Sequence, residues 1–170
     1  MGWYFKQTQF LKHRFGKDWK LVAGLLAATS PRVKLGVSWD MSMAIYDDVK
    51  AGKEPTLYGL MKAHRLNVER VLKGEELSGQ KVSRFYQNLI GNLEVVTIDT
   101  WMLKLWKVKL RSHNSHSTQY GKMERAFQRW ARSKGMKPAN AQAILWNYIR
   151  KKEGKKPVSF AMIEEVSVPF

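Results

Sequence analysis

The segment Trp19 to Ala28, WKLVAGLLAA, is apolar on nearly every face of a helix. Such a helix has no side suited to water, so the rest of the chain must wrap it. With 170 residues the chain can bury a real core in one domain and is too short for two full ones. The helix is stopped at Thr29-Ser30-Pro31-Arg32, where Pro31 keeps Ser30 out of helical angles and itself suits the start of a helix. A single domain over residues 1–170 is expected, built around a buried second helix.

The flanking segments are helical in pattern. Trp3 to Phe15 reads as a first helix and Val33 to Lys50 as a third, with Val37, Met41, Ala44 and Ile45 on one side. After the turn Gly52 to Thr56, Leu57 to Leu72 reads as a fourth, and Lys81 to about Ile90 as a fifth closed by Gly91-Asn92. Val95 to Leu110 opens with β-branched residues and alternates near Trp106, so a strand competes there with a turn at Thr97 to Asp99 followed by a helix. Arg111 to Gln119 reads as a polar loop, with helices over Gly121 to Lys134 and Ala139 to Arg150 on either side of Gly135 to Pro138. Lys151 to Pro157 is a basic turn, and 158–170 is an apolar tail whose form the pattern leaves open. The fold expected is all-α, a compact helical domain.

Charge narrows the partner. The net charge is +16, and the excess is spread along the chain, with 15 basic against 8 acidic side chains in residues 1–85 and 15 against 6 in residues 86–170. A globular domain so charged repels itself, and a polyanion relieves that repulsion. Nucleic acid leads, ahead of an anionic membrane or an acidic protein surface. No run of about 18 apolar residues suggests a spanning helix, and the amino terminus lacks a signal-peptide layout, so a cytoplasmic protein is expected. The absence of cysteine excludes disulfides, thiolate zinc sites and cysteine-bound iron-sulfur clusters. His113 and His116 lie in a polar loop without further ligands nearby, and neither a metal nor a cofactor is expected. P-loop, dinucleotide-binding and Ser-His-Asp hydrolase motifs are not evident.

The informative stretch is Leu77-Ser78-Gly79-Gln80-Lys81-Val82, followed downstream by Val95-Val96-Thr97-Ile98-Asp99-Thr100-Trp101-Met102. A glycine turn opening a helix directs backbone N–H groups outward at the positive end of the helix dipole, which suits a phosphate. The plainer reading is that Gly79 merely permits a tight turn and Lys81 is a surface lysine. Asp99 stands among apolar residues, where a carboxylate needs a compensating partner or a task. It follows Lys81 by 18 positions, so the helix from Lys81 and a reversing turn can bring the two together. Capping the next helix is the structural alternative for Asp99.

Helix, turn, Gly-x-Lys, helix, then a short loop and Val/Ile-Asp-x-x-hydrophobic together resemble the helix-hairpin-helix DNA glycosylase superfamily that includes endonuclease III and oxoguanine glycosylase. The likeness covers roughly residues 20 to 105: Leu21 to Arg32 resembles that family's buried helix and minor-groove loop, and Gly59 to Leu72 its helix leading into the hairpin. Met123 to Arg150 resembles small glycosylase-like proteins of phage genomes. The resemblance implies a hairpin at about 66–90 and double-stranded DNA as the partner of a monomer. It implies phosphate contacts from Leu77, Ser78, Gly79, Gln80 and Val82, and groove contacts from Thr29, Ser30 and Arg32. It gives Lys81 the role of Schiff-base nucleophile and Asp99 that of essential carboxylate. The sequence departs from the family in keeping one hairpin glycine where two are usual, with Leu at position 77, in a short link, and in lacking a cysteine cluster.

The implied chemistry is removal of a damaged, mismatched or modified base. Asp99 would stabilise positive charge developing on the deoxyribose. Lys81 would attack the sugar as a neutral amine, which requires a pKa below its usual value of about 10.4. If Lys81 stays protonated and binds phosphate, water is the nucleophile and an abasic site is left. A binding module without catalysis, and an enzyme of phage hypermodified-base metabolism, are the alternatives. Basic side chains at Lys104, Lys107, Lys109, Arg125, Arg129, Arg132, Lys151, Lys152, Lys155 and Lys156 would extend the phosphate footprint, while Trp101, Trp106, Trp130 and Trp146 are expected in the core.

Overall fold

The computed structural model describes residues 2–107 and 116–167. The described residues form nine α-helices: α1 (Trp3–Phe15), α2 (Trp19–Thr29), α3 (Leu35–Lys50), α4 (Lys62–Leu72), α5 (Gln80–Leu89), α6 (Thr100–Trp106), α7 (His116–Ser133), α8 (Pro138–Lys152) and α9 (Phe160–Ser167). No strand occurs among them. The all-α expectation holds, and a helix follows Asp99, which caps it; the turn expected at Thr97 to Asp99 is absent, the chain bending at Glu94–Val95 and running extended into the cap.

Helix α2 is the centre of the molecule. Every residue from Val22 to Thr29 is buried, and α1, α3, α4 and α5 all pack on it. Gly24 sets the distance to α4: a Cβ there would stand 2.9 Å from Val71 Cγ1, so only glycine lets the two helices close this far. Around α2 lies one apolar cluster with Leu11, Trp39, Val82, Phe85 and Leu89 and another with Ile45, Leu60 and Val68.

Several element boundaries differ from the sequence pattern. Helix α4 begins at Lys62 rather than Leu57, because His64 Nδ1 accepts the Met61 N–H at 3.3 Å and caps the helix from its own first turn. On α3, Ser38, Trp39, Ser42 and Ile45 face inward while Val37 is 42% exposed and Ala44 lies outside. The buried serines are tolerated because their hydroxyls bond to Thr29. Helix α7 starts at His116, inside the segment read as a loop, while 108–115, with His113 and Lys109, lie outside the described residues.

A third cluster, with Val96, Ile98, Met102, Tyr120, Phe127, Ala131 and Ala141, joins α6, α7 and α8. Trp106 and Trp146 pack against it as expected, but Trp130 is 42% exposed. The apolar tail resolves into α9, which docks on the first cluster. Phe160 is fully buried and stacks on Trp39 at 5.7 Å between ring centroids. Burial of one such ring stabilises by about 2–3 kcal/mol, and the Phe160 N–H donates to Gln7 Oε1 at 2.9 Å.

Candidate functional site

The site forms where α5, α6 and α8 meet. Residues 73–79 link α4 to α5, and Gly79 at φ +97° turns the chain into α5 in a conformation that side-chain-bearing residues rarely adopt. Asn67 on α4 fixes this link: its Oδ1 accepts the Ser78 N–H at 2.8 Å and its Nδ2 donates to the Ser78 carbonyl at 3.0 Å. Helix α5 has no side-chain cap, and Lys81 stands in its first turn.

Asp99 is delivered by a loop held almost entirely by side chains of the helices around it. Asn88 Nδ2 donates to the carbonyls of Asn92 and Val95, both at 2.9 Å, and its Oδ1 accepts the Thr97 hydroxyl at 2.7 Å. The Val96 N–H donates to Glu124 Oε2 at 2.8 Å, the Tyr120 hydroxyl donates to the Val96 carbonyl at 2.7 Å, and the Ile98 N–H donates to the Tyr120 oxygen at 2.9 Å. Glu124 is itself buried and bonded by Arg84 through Nε and Nη2 at 3.3 and 3.1 Å. Asp99 then accepts the Met102 N–H at 3.0 Å as the N-cap of α6.

Lys81 and Asp99 are both half-buried and feel each other's charge. Burial pushes the Lys81 ammonium below its ordinary range, opposed by the Asp99 carboxylate. Burial likewise pushes Asp99 above the ordinary carboxylate range, opposed by the Met102 N–H and then by Lys81. They do not close into an ion pair, and the described residues provide Lys81 with no other carboxylate partner. A third charge acts from α8: burial lowers the pKa of Arg150, opposed by the charge of the Asp99 carboxylate. Two phenols complete the surroundings, Tyr4 and Tyr120, each with its pKa raised mainly by burial and, to a lesser degree, by Asp99.

The expected DNA contacts divide. Thr29 is fully buried with its hydroxyl bonded to the Leu25 carbonyl and to Ser38 and Ser42, so it presents nothing to a groove. Ser30 bonds back to the Ala27 carbonyl at 2.8 Å. Arg32 is exposed, with φ +59°, on a loop pinned to α4 because His64 Nε2 donates to the Pro31 carbonyl at 2.7 Å. The side chains of Leu77 and Val82 point into the core, and the Ser78 amide is taken by Asn67, leaving Ser78 its hydroxyl. Gly79, Gln80 and Lys81 remain at the start of α5. Of the distant basic residues, Lys104 pairs with Glu153 at 3.0 Å and Arg132 with Glu94 at 2.9 Å, which reduces the footprint expected of them.

Arg150, Tyr4, Tyr120 and Glu124 were not singled out by the sequence. They lie on helices remote from the Lys81 motif, and only an isolated acidic residue at 124 on a predominantly basic α7 hinted at a buried role. Elsewhere, a concavity of about 510 Å³ opens between the start of α1 and α8, lined by Trp3, Met136, Lys137, Asn140, Ala143 and Asn147 among others. It has no carboxylate, and its one cation, Lys137, is paired with Glu94 at 2.7 Å. No cluster of three or more metal-ligating side chains occurs among the described residues, and no helix among them is long and apolar enough to cross a membrane.

Fold and site thus define a strongly basic all-helical protein in which two helix beginnings bring a lysine and an aspartate together in a partly desolvated position. The chain belongs to a family of unknown function (DUF7178), whose model it matches over residues 1–153. No curated protein and no solved structure matches it.

Proposed function

We propose that this protein is a DNA glycosylase of the helix-hairpin-helix type, acting as a monomer on double-stranded DNA, with Lys81 and Asp99 as its reacting pair. The observation that carries the reading is the meeting of these two residues, 18 positions apart, each within the other's field, with burial driving both toward their neutral forms and no ion pair between them among the described residues. Surface lysines and capping aspartates are ordinarily solvated; perturbation of both at one point favours chemistry.

In the bifunctional form, the neutral Lys81 Nζ attacks C1′ of an extruded nucleotide. The N–C1′ bond forms as the glycosidic bond breaks, and the base leaves with the electron pair and takes up the proton shed by the amine. Asp99 stabilises the positive charge on the sugar during that step. Ring opening gives an imine, after which loss of a C2′ proton expels the 3′ phosphate. The start of α5 supports the phosphate backbone through its amides and dipole, and Arg32 reaches the groove from the loop pinned by His64. The charge of +16 supplies non-specific attraction to DNA.

A second reading is favoured by one contact. Asp99 caps α6 through Met102, a role that a DNA-binding module without catalysis would equally need. Borohydride trapping on duplexes bearing uracil, oxoguanine, mismatches, abasic sites and modified pyrimidines separates them. A covalent adduct that Lys81→Ala abolishes is the expected result. Alkali-labile sites without an adduct, lost in Asp99→Asn, identify water as nucleophile. Binding without cleavage of any substrate, equal in both variants, leaves the module.

A further inference from the structure

Cations in the last turn of α8, Arg150, Lys151 and Lys152, are favoured by the helix dipole wherever the helix points. The dipole does not account for how Arg150 is held. Its guanidinium carbon lies 4.6 Å from the centre of the Trp146 ring, and that ring meets Trp3 edge-on at 5.4 Å. Trp3 is fixed in turn by its indole N–H, which donates to the Val158 carbonyl at 2.7 Å. Thus a rigid aromatic shelf supports the guanidinium. Nη1 is buried on that shelf and has no hydrogen-bond partner among the described residues.

A buried guanidinium N–H without an acceptor is costly, and such groups in folded proteins generally have one. A cation nearby is served differently: Lys104 pairs with Glu153, three residues beyond Arg150. The Asp99 carboxylate acts on Arg150 through its charge, and no hydrogen bond joins the two among the described residues. No described residue supplies that acceptor, and a ligand seated against the shelf can. Around it, Lys151, Lys152, Lys155 and Lys156 are exposed and positive, so the ligand group is anionic. A planar fork of N–H donors fits a phosphate through two oxygens at once.

We infer that Arg150, on its Trp146 shelf, binds the phosphate bordering the nucleotide that reacts at Lys81 and Asp99. The inference rests on the proposed function. It makes Arg150 a binding residue that sets the position of the sugar along the strand.

The test is fluorescence-polarisation binding of the full chain to a duplex with one tetrahydrofuran abasic site, over a series of salt concentrations. The titration is repeated with a single methylphosphonate placed in turn at each phosphate bordering the site. Wild-type binding is expected to weaken about tenfold at one of these positions. Arg150→Gln is expected to weaken binding to the unmodified duplex by about the same factor, to lower the salt slope by about one, and to lose nothing further at that position. Lys151→Gln, an exposed neighbour, should lower the slope and keep the methylphosphonate loss. If Arg150→Gln does not fold, Arg150→Lys serves: it keeps the charge, and the loss at that position must shrink because the fork is gone. Methylphosphonate losses that are undiminished in the Arg150 variants overturn the assignment alone. A wild type that binds abasic and intact duplexes equally overturns the enzyme reading, and this inference with it.

Discussion

The side-chain amide of Asn67 holds Ser78 by both backbone groups, accepting its N–H at 2.8 Å and donating to its carbonyl at 3.0 Å. This one residue joins α4 to the link that aims α5, and Asn67 is 5% exposed, so water does not readily replace it. Asn67→Ala removes two hydrogen bonds and is expected to cost about 1–3 kcal/mol in urea unfolding. Asn67→Asp keeps the acceptor for the Ser78 N–H but sets a buried carboxylate oxygen against the Ser78 carbonyl, so it is expected to cost at least as much as Asn67→Ala at neutral pH. Equal stability of Asn67→Ala and wild type would show that the link holds its shape without this clamp.

Glu124 plays the corresponding part for the loop before Asp99. It accepts from the Val96 N–H and from Arg84 while buried on α7. Removing one partner of such a pair strands the other, so Glu124→Ala is expected to destabilise by about 3 kcal/mol. Arg84 retains 27% of its side-chain surface, so water can serve it when Glu124 is removed, whereas Arg84→Ala strands the buried carboxylate and should cost at least as much. The double variant should fall short of the summed losses, and a double-mutant cycle by chemical denaturation checks this. Strict additivity would mean the pair does not act together.

The sequence carried the scaffold more completely than the site. The all-apolar run at 19–28 required a buried central helix, and Gly79 and Asp99 marked the starts of α5 and α6, because those signals are local. Where long-range contacts decide, the pattern misled. Thr29 reads as a polar residue at a helix end, yet Ser38 and Ser42 on α3 bury it. The start of α4 depends on a histidine reaching back to Met61. Arg150 was one basic residue among many until the fold set it on Trp146 and in the field of Asp99. Lys81 and Asp99 were legible as a pair because helix α5 and one short loop span the distance between them.

Burial raises the Asp99 carboxyl above its ordinary 3.8, so the folded protein holds that proton more tightly than the unfolded chain does. The charge therefore costs stability above the raised pKa, and the cost disappears as pH falls toward the unfolded value. Asn at this position still caps a helix and cannot ionise. The melting temperature of Asp99→Asn relative to wild type should accordingly decline on acidification from neutral pH to about pH 4, measured by calorimetry. A difference that grows on acidification would contradict the placement of Asp99 in a desolvated position.

Lys81 must be neutral to attack a sugar. Its pKa is lowered by burial and held up by Asp99, so Asp99→Asn removes the opposing influence. The pH profile of borohydride trapping on a preformed abasic duplex, which needs no base excision, is expected to shift to lower pH in Asp99→Asn. Lys81→Ala should give no adduct at any pH. An unshifted profile would separate the two residues electrostatically and remove Asp99 from any role in tuning the amine.

Arg32 stands at φ +59°, where a side chain beyond glycine is disfavoured by roughly 1 kcal/mol or more. Its loop is held on one side by the Ser30 hydroxyl on Ala27 and on the other by His64 on Pro31, so the strained backbone is imposed by its surroundings. Arg32→Gly adopts the same backbone without strain, while gaining freedom in the unfolded chain, and the two effects should leave stability within about 1 kcal/mol of wild type. If the exposed guanidinium reaches the groove beside the extruded nucleotide, the same substitution should weaken binding to an abasic duplex about tenfold and intact duplex less. Paired measurements of unfolding and binding make the test clean, because loss of affinity at constant stability belongs to the side chain. Unchanged affinity would leave the backbone at Arg32 as a consequence of how the loop is pinned and place the groove contact elsewhere.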